Sequence, residues 1–220
     1  MRVLSIETST SRAGVALVDA GRLVFSRAHE RPKQSAERLL PLVAEALAEA
    51  GWLKSSLDRL GVSVGPGSFT GLRVGIACAQ GLALGLDRPL LGVTSLHAMT
   101  RMVPTSILGV RCALLDARRS EVFAGAYRGA AQVLAPSAFP IETARESIER
   151  LVAEPVAWIG SGTALLGLRS DWSSVEADDP SAAGVGFLTE ELEPECYPAI
   201  PVYVRDAGAT LPVLPARPGR

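Results

Sequence analysis

The stretch Val62-Ser63-Val64-Gly65-Pro66-Gly67-Ser68-Phe69-Thr70-Gly71-Leu72-Arg73-Val74-Gly75 decides how the chain is read. Residues 60–64 are apolar and partly β-branched, which predicts a short buried strand. Gly65-Pro66-Gly67 stops that strand and turns the chain. Ser68 or Thr70 then offers a hydroxyl to an unpaired amide one turn on, which predicts a helix start. The helix is expected over about 71–85 and consists mostly of small residues. Gly71, Gly75, Ala79 and Ala83 recur at every fourth position and share one face, while Ala77, Gly81 and Gly85 form a second small ridge. Glycine inside a helix costs about 1 kcal/mol relative to alanine. Four glycines in one helix therefore imply close approach by another helix, a strand or a ligand.

Glycines ahead of a helix N-terminus also serve as phosphate cradles. The P-loop signature requires Lys-Ser/Thr after its last glycine, and here Leu72-Arg73 follows. The dinucleotide fingerprint fails on spacing. Tight packing is the favoured reading of 65–71, with an anion site as the alternative.

Outward from this stretch, the first half reads as strands over 2–7, 13–19 and 23–28, with a hairpin turn at Asp19-Ala20-Gly21. An amphipathic helix follows over about 36–50, its apolar stripe formed by Leu39, Leu40, Val43, Ala46 and Leu47. A strand over 90–93 and a short helix over 95–102 follow the glycine-rich helix. The second half repeats the order. Strands are expected over 107–115, 121–127 and 131–135, a helix over 142–153, and a strand over 156–159 ending in Gly160-Ser161-Gly162. Helices near 163–168 and 183–192 complete it. This duplication predicts an α/β chain with the two-lobe actin/Hsp70/sugar-kinase-like (ASKHA) fold. The lobes are expected at 1–104 and 105–204, with Pro104 at the boundary. Residues 205–220, rich in Pro, Gly, Ala and Arg, are expected to form a disordered tail.

The composition narrows the function classes. The chain has 220 residues, of which 48% are hydrophobic, and a net charge of −1. That charge gives no global attraction to nucleic acid, so weak nucleic-acid binding by the chain alone is expected. Cys78, Cys112 and Cys196 are far apart and match no metal spacing, which suits a reducing, cytoplasmic setting. No signal peptide is visible at the N-terminus. The longest apolar stretch, 74–86, is too short and glycine-rich to span a bilayer, so no membrane association is expected.

The segment 65–75 resembles the signature loop and helix of the bacterial TsaB (YeaZ) family. The resemblance extends to Ile6-Glu7-Thr8-Ser9-Thr10, Glu37-Arg38-Leu39-Leu40-Pro41 and Asp116-Ala117-Arg118-Arg119, and covers most of the chain to about Arg205. It implies a non-catalytic relative of TsaD in the machinery that installs threonylcarbamoyl on a tRNA adenosine. The implied partners are a TsaD-like catalytic subunit and a TsaE-like ATPase, with a homodimer when the chain is alone and tRNA contacted only through the complex. No cofactor is implied. A bundle of two helices from each chain is the implied contact. It places Leu40, Val43, Leu47, Phe69, Thr70, Gly71, Arg73, Gly75 and Ala79 at the partner interface. The alternative is that both small ridges bury inside this chain.

Two segments depart from the patterns of relatives. The catalytic relatives carry a histidine ligand pair after the equivalent of strand 90–93; the matching positions here are Ser95 and Met99, a poor set for a hard metal. Many family members have His-Ser-Glu before Arg-Leu-Leu-Pro, where this chain has Ser35-Ala36-Glu37.

In the ASKHA architecture the turns after the two equivalent strands hold nucleotide phosphates. Glu7, Thr8, Ser9, Asp116 and Arg118 are therefore the candidates for nucleotide binding. The competing reading is that the carboxylates cap turns and the hydroxyls satisfy backbone groups. Neither turn contains glycine. A stand-alone ATP-binding kinase or transferase of the same fold is thus the rival to the non-catalytic subunit. Nucleophile elbows are absent, and neither cysteine–histidine nor metal-binding spacing occurs in the sequence.

Overall fold

Side chains alternate across the first strand, and that alternation sorts the molecule into layers. The structure, a computed structural model, describes residues 1–30, 35–104, 106–154, 156–171 and 175–204. The tail expected at 205–220 lies outside the described residues, as do the side chains of 35–37. In β1 (Arg2–Glu7) Leu4 and Ile6 point into one core, and Ser5 points to the opposite face, where its hydroxyl donates to the Ala182 carbonyl at 2.6 Å. β1 pairs antiparallel with β2 (Arg12–Asp19), which continues into β3 (Arg22–Glu30). Ala20 and Gly21 take positive φ of 49° and 73° between β2 and β3, as a tight two-residue hairpin requires. β4 (Arg59–Gly65) and β5 (Leu90–Thr94) add in parallel, giving the order β3-β2-β1-β4-β5.

Helices α1 (Ser35–Glu49) and α2 (Phe69–Leu86) cover one face of this sheet. Of the two candidate caps, Ser68 is the one used: its hydroxyl accepts from Gly71 N at 3.3 Å. Asp87 ends the helix in the left-handed region. After α3 (Ser95–Arg101) the second sheet runs β8-β7-β6-β9. Its strands are β6 (Val110–Arg118), β7 (Glu121–Arg128), β8 (Ala131–Pro140) and β9 (Val156–Ile159), with α4 (Ile141–Val152) between β8 and β9. Antiparallel β6-β7-β8 and parallel β6-β9 repeat the pairing of β1-β2-β3 and β1-β4. The duplicated two-lobe ASKHA fold is thus observed.

The repeat is imperfect. The helix expected near 163–168 is a 3-10 turn, Ser161–Leu166, ended by Gly167 at a φ of 65°. A four-residue α5 (Val175–Asp178) precedes α6 (Ala182–Glu191). Although α6 falls in the range 105–204, it lies against β1, β2, β4 and α3 of the first half. Gly61 permits this: a Cβ there would strike the Thr189 side chain of α6. The chain then crosses the ends of β4 and β5, where Gly92 N donates to Tyr197 O at 2.8 Å and Val202 N to Val64 O at 2.7 Å. Apolar periodicity marks an element but not the sheet that receives it, so this return to the first sheet has no local signal in the sequence.

Candidate functional site

α2 is the structural hinge of both candidate sites, because its N-terminus faces the gap between the sheets and its outer side faces solvent. Gly71, Gly75, Ala79 and Ala83 are all buried against the first sheet. A Cβ at Gly75 would fall within 3.2 Å of the Thr8 Cβ and closer still to its hydroxyl. Val43 and Leu47 of α1 are buried in the same core. Five of the residues expected at a partner interface, Val43, Leu47, Gly71, Gly75 and Ala79, are therefore corrected to core positions. The reason is physical: helix α2 must approach the β1 turn closely, and small residues on that side allow it.

The other four expected residues, Leu40, Phe69, Thr70 and Arg73, are exposed. With them, the outward side of α2 presents Ala77, Gly81, Leu84 and Gly85, and α1 presents Ala44 and Ala48. Leu84 is 85% exposed and Leu40 53%. Nothing approaches within 4 Å of where a Cβ would sit on Gly81 or Gly85. The second small ridge is thus the outward one. At its N-terminal end Arg73 lies over the Phe69 ring at 3.9 Å, Phe69 packs on Tyr203 at 5.2 Å, and Arg73 Nε donates to the Tyr203 hydroxyl at 3.3 Å. By length and composition α2 is long and apolar enough to cross a membrane. That differs from the expectation for 74–86, because the helix extends five residues further toward the N-terminus. Its Gly71–Ala83 side nevertheless packs on protein.

Between the sheets lies a cavity of about 840 Å³. Ser9, Asp116 and Arg118 line it, whereas Thr8 does not and Glu7 lines a separate cavity of about 130 Å³ with Arg12 and Ser181. Thr8 instead donates its hydroxyl to the Gly71 carbonyl of α2 at 2.9 Å. The Glu7 carboxylate is buried and accepts from Ser9 N. Asp116 caps its own turn, accepting from Arg118 N at 2.7 Å and pairing with the Arg118 guanidinium at 3.1 Å. The structure brings Ser9, Asp116 and Arg118 to one cavity and places Glu7 and Thr8 behind its wall.

The positions matching the metal ligands of catalytic relatives do not fit a metal. Ser95 is buried and shares a hydrogen bond of 2.8 Å with Ser63, and Met99 is fully buried. His97 stacks on Tyr127 with ring centroids 4.2 Å apart, and its Nε2 bonds the Gly129 carbonyl at 3.1 Å. Burial pushes its pKa below the ordinary histidine value, which keeps it neutral at neutral pH. Tyr127 in turn bonds Thr94 at 2.8 Å, tying β7 to the end of β5. The Cys112 thiol is raised to about 12 by burial and is chemically inert. Among the described residues no group of three or more His, Cys, Asp or Glu side chains is placed to hold a metal ion.

Known proteins share this arrangement. The family model described as TsaD: tRNA N6-adenosine threonylcarbamoyltransferase matches residues 27–153. The tRNA threonylcarbamoyladenosine biosynthesis protein TsaB of Escherichia coli K12 is 38% identical over 131 residues, 58% of this chain and 55% of that protein, so the match spans about half the relative's length. Its namesake in Bacillus subtilis is 27% identical over 221 residues, covering 95% of this chain and 96% of that protein. The structure of YeaZ from Pseudomonas aeruginosa superposes with a TM-score of 0.71 at 32% identity, covering 92% of this chain and 99% of that one. The chain belongs to the TsaB (YeaZ) family. A component A of the Acidaminococcus fermentans (R)-2-hydroxyglutaryl-CoA dehydratase, at 10% identity and a TM-score of 0.54, covers 87% of this chain and 98% of its own and shares the fold alone. Ala44, Ala48 and Leu84 are exposed on the same two helices and were not among the expected interface residues. A wheel drawn outward from the second small ridge passes through Leu84, and that signal was available.

Proposed function

We propose that this TsaB-family chain acts in tRNA threonylcarbamoyladenosine biosynthesis as a non-catalytic subunit that pairs with a TsaD-like transferase. The observation that carries the reading is the outward side of α2. A helix that already buries one small-residue ridge in its own core keeps a second one, Ala77-Gly81-Gly85, with the exposed Leu84, and α1 exposes Leu40. Monomers leave single apolar residues exposed without consequence. Glycines in an exposed helix interior are different, because they cost stability and admit a close-packed neighbour. A second helix pair from a TsaD-like subunit fits that surface, and a second copy of this chain fits it when the subunit is absent. A TsaE-like ATPase joins the assembly, which works in the cytoplasm. tRNA is held by the complex rather than by this chain, whose net charge is −1.

The test is reconstitution. The chain alone should transfer no threonylcarbamoyl to tRNA, and activity should appear when TsaD-like and TsaE-like subunits are added. Turnover by the isolated chain would refute the reading and favour a stand-alone enzyme built on the cavity between the sheets.

A further inference from the structure

The ASKHA fold implies a nucleotide in the cavity between the sheets, at the carboxyl ends of the parallel strands where open α/β sheets take their ligands. Seating phosphates there requires free backbone amides and room for close approach. We infer that this cavity does not seat nucleotide phosphates, because the chain engages amides of both turns itself and packs its own atoms against the glycines that would admit close approach, and uses the first turn as a strut for α2.

Four amides near the cavity are engaged. Ser9 N donates to the Glu7 carboxylate, and Ser68 N donates to the Ser9 carbonyl at 2.6 Å. Gly71 N donates to the Ser68 hydroxyl at 3.3 Å, and Arg118 N donates to Asp116 at 2.7 Å. Close approach at the glycines is also taken by the chain itself. A Cβ on Gly67 would stand 2.7 Å from the Ser9 Cβ, and one on Gly65 2.9 Å from the Val202 carbonyl oxygen. On the other side of the cleft, a Cβ on Gly162 would stand 2.7 Å from the Leu114 carbonyl carbon. These glycines serve contacts within the chain, and none of the three leaves a cradle open. The wall also carries two carboxylates, Asp116 and Asp179, the latter accepting from the Ser161 hydroxyl at 3.0 Å. One buried hydroxyl there, Ser9 Oγ, has no hydrogen-bond partner, and the Ser9 Cβ lies against the loop at Gly67.

The same bonds show what the turn does instead. Thr8 holds the Gly71 carbonyl and fills the notch at Gly75, while Ser9 holds Ser68. Residues at the place of a phosphate turn thus fix the first two turns of α2.

Isothermal titration of the full chain with inorganic phosphate, AMP, ADP and ATP, each with Mg²⁺, tests the inference. Ligand at about 5 mM captures dissociation constants into the millimolar range. The expected result is no saturable heat and no shift in the thermal midpoint with any of the four. Saturable binding of any one would overturn the inference. Pairing with a TsaD-like subunit is measured separately, so a chain that binds nucleotide and still pairs would sink this inference while leaving the proposed function standing.

Discussion

The two small-residue ridges of α2 have nearly the same composition and opposite roles. Gly71, Gly75, Ala79 and Ala83 are buried, and the notch at Gly75 is filled by Thr8. Ala77, Gly81 and Gly85 face outward, and the space over Gly81 and Gly85 is open. Small size alone therefore does not say which neighbour a helix was shaped for. The inner ridge serves intramolecular packing, already complete, and the outer ridge has a vacancy that the proposed partner helices complete.

The sharpest way to break the comparison is to enlarge the inner ridge. Gly75→Leu gains about 1 kcal/mol of helix propensity. It also drives a branched side chain into Thr8, and overpacking of this kind costs about 1–3 kcal/mol or more. Because Thr8 is anchored to Gly71 O, the clash should win, and chemical denaturation should show a net loss of about 2 kcal/mol. A variant as stable as the parent would show that the inner ridge is not tightly packed.

The outer side responds differently. Leu84→Arg touches nothing buried, so its stability should stay within about 0.5 kcal/mol of the parent. Its affinity for a TsaD-like subunit should fall about tenfold or more, as expected for a charge placed at an apolar contact. Co-elution and a binding isotherm at matched salt would measure it. Normal pairing by folded Leu84→Arg would place the contact elsewhere.

How much of this was legible beforehand differs between the two ridges. The strand, the turn at 65–67 and the helix after it follow from β-branched residues, Gly-Pro-Gly and the Ser68 cap. The duplication follows from repeated strand and helix patterns. The existence of both ridges is a matter of spacing. Which of them faces inward depends on where Thr8 comes to lie, 67 positions before Gly75 in the chain but in contact with it. No local pattern encodes that contact. For the same reason the five interface candidates on the inner side, Gly75 among them, proved to be core residues. Glu7 and Thr8 read as nucleotide candidates because they lie in the turn after the first strand, yet Glu7 lines a separate cavity and Thr8 is turned toward α2.

A smaller effect separates the lobes' junction from both ridges. His97 is held below the usual histidine pKa chiefly by burial, so folding favours its neutral form. At neutral pH both folded and unfolded states are neutral there and no penalty applies. As pH falls through the ordinary histidine value near 6.5, the unfolded chain takes up the proton first, and stability declines. His97→Gln should flatten that part of the stability–pH curve without changing pairing at neutral pH. An unchanged slope would assign the acid sensitivity to other groups.

The most direct measurement is the affinity of Gly81→Leu for the TsaD-like subunit, with its unfolding free energy taken from the same preparation. Nothing within the chain lies in the path of that side chain. The outer ridge, if it is the seat of a partner helix, predicts a parent-like or slightly raised stability together with pairing weakened about tenfold or more. A folded Gly81→Leu that pairs as tightly as the parent would contradict the assignment of this face.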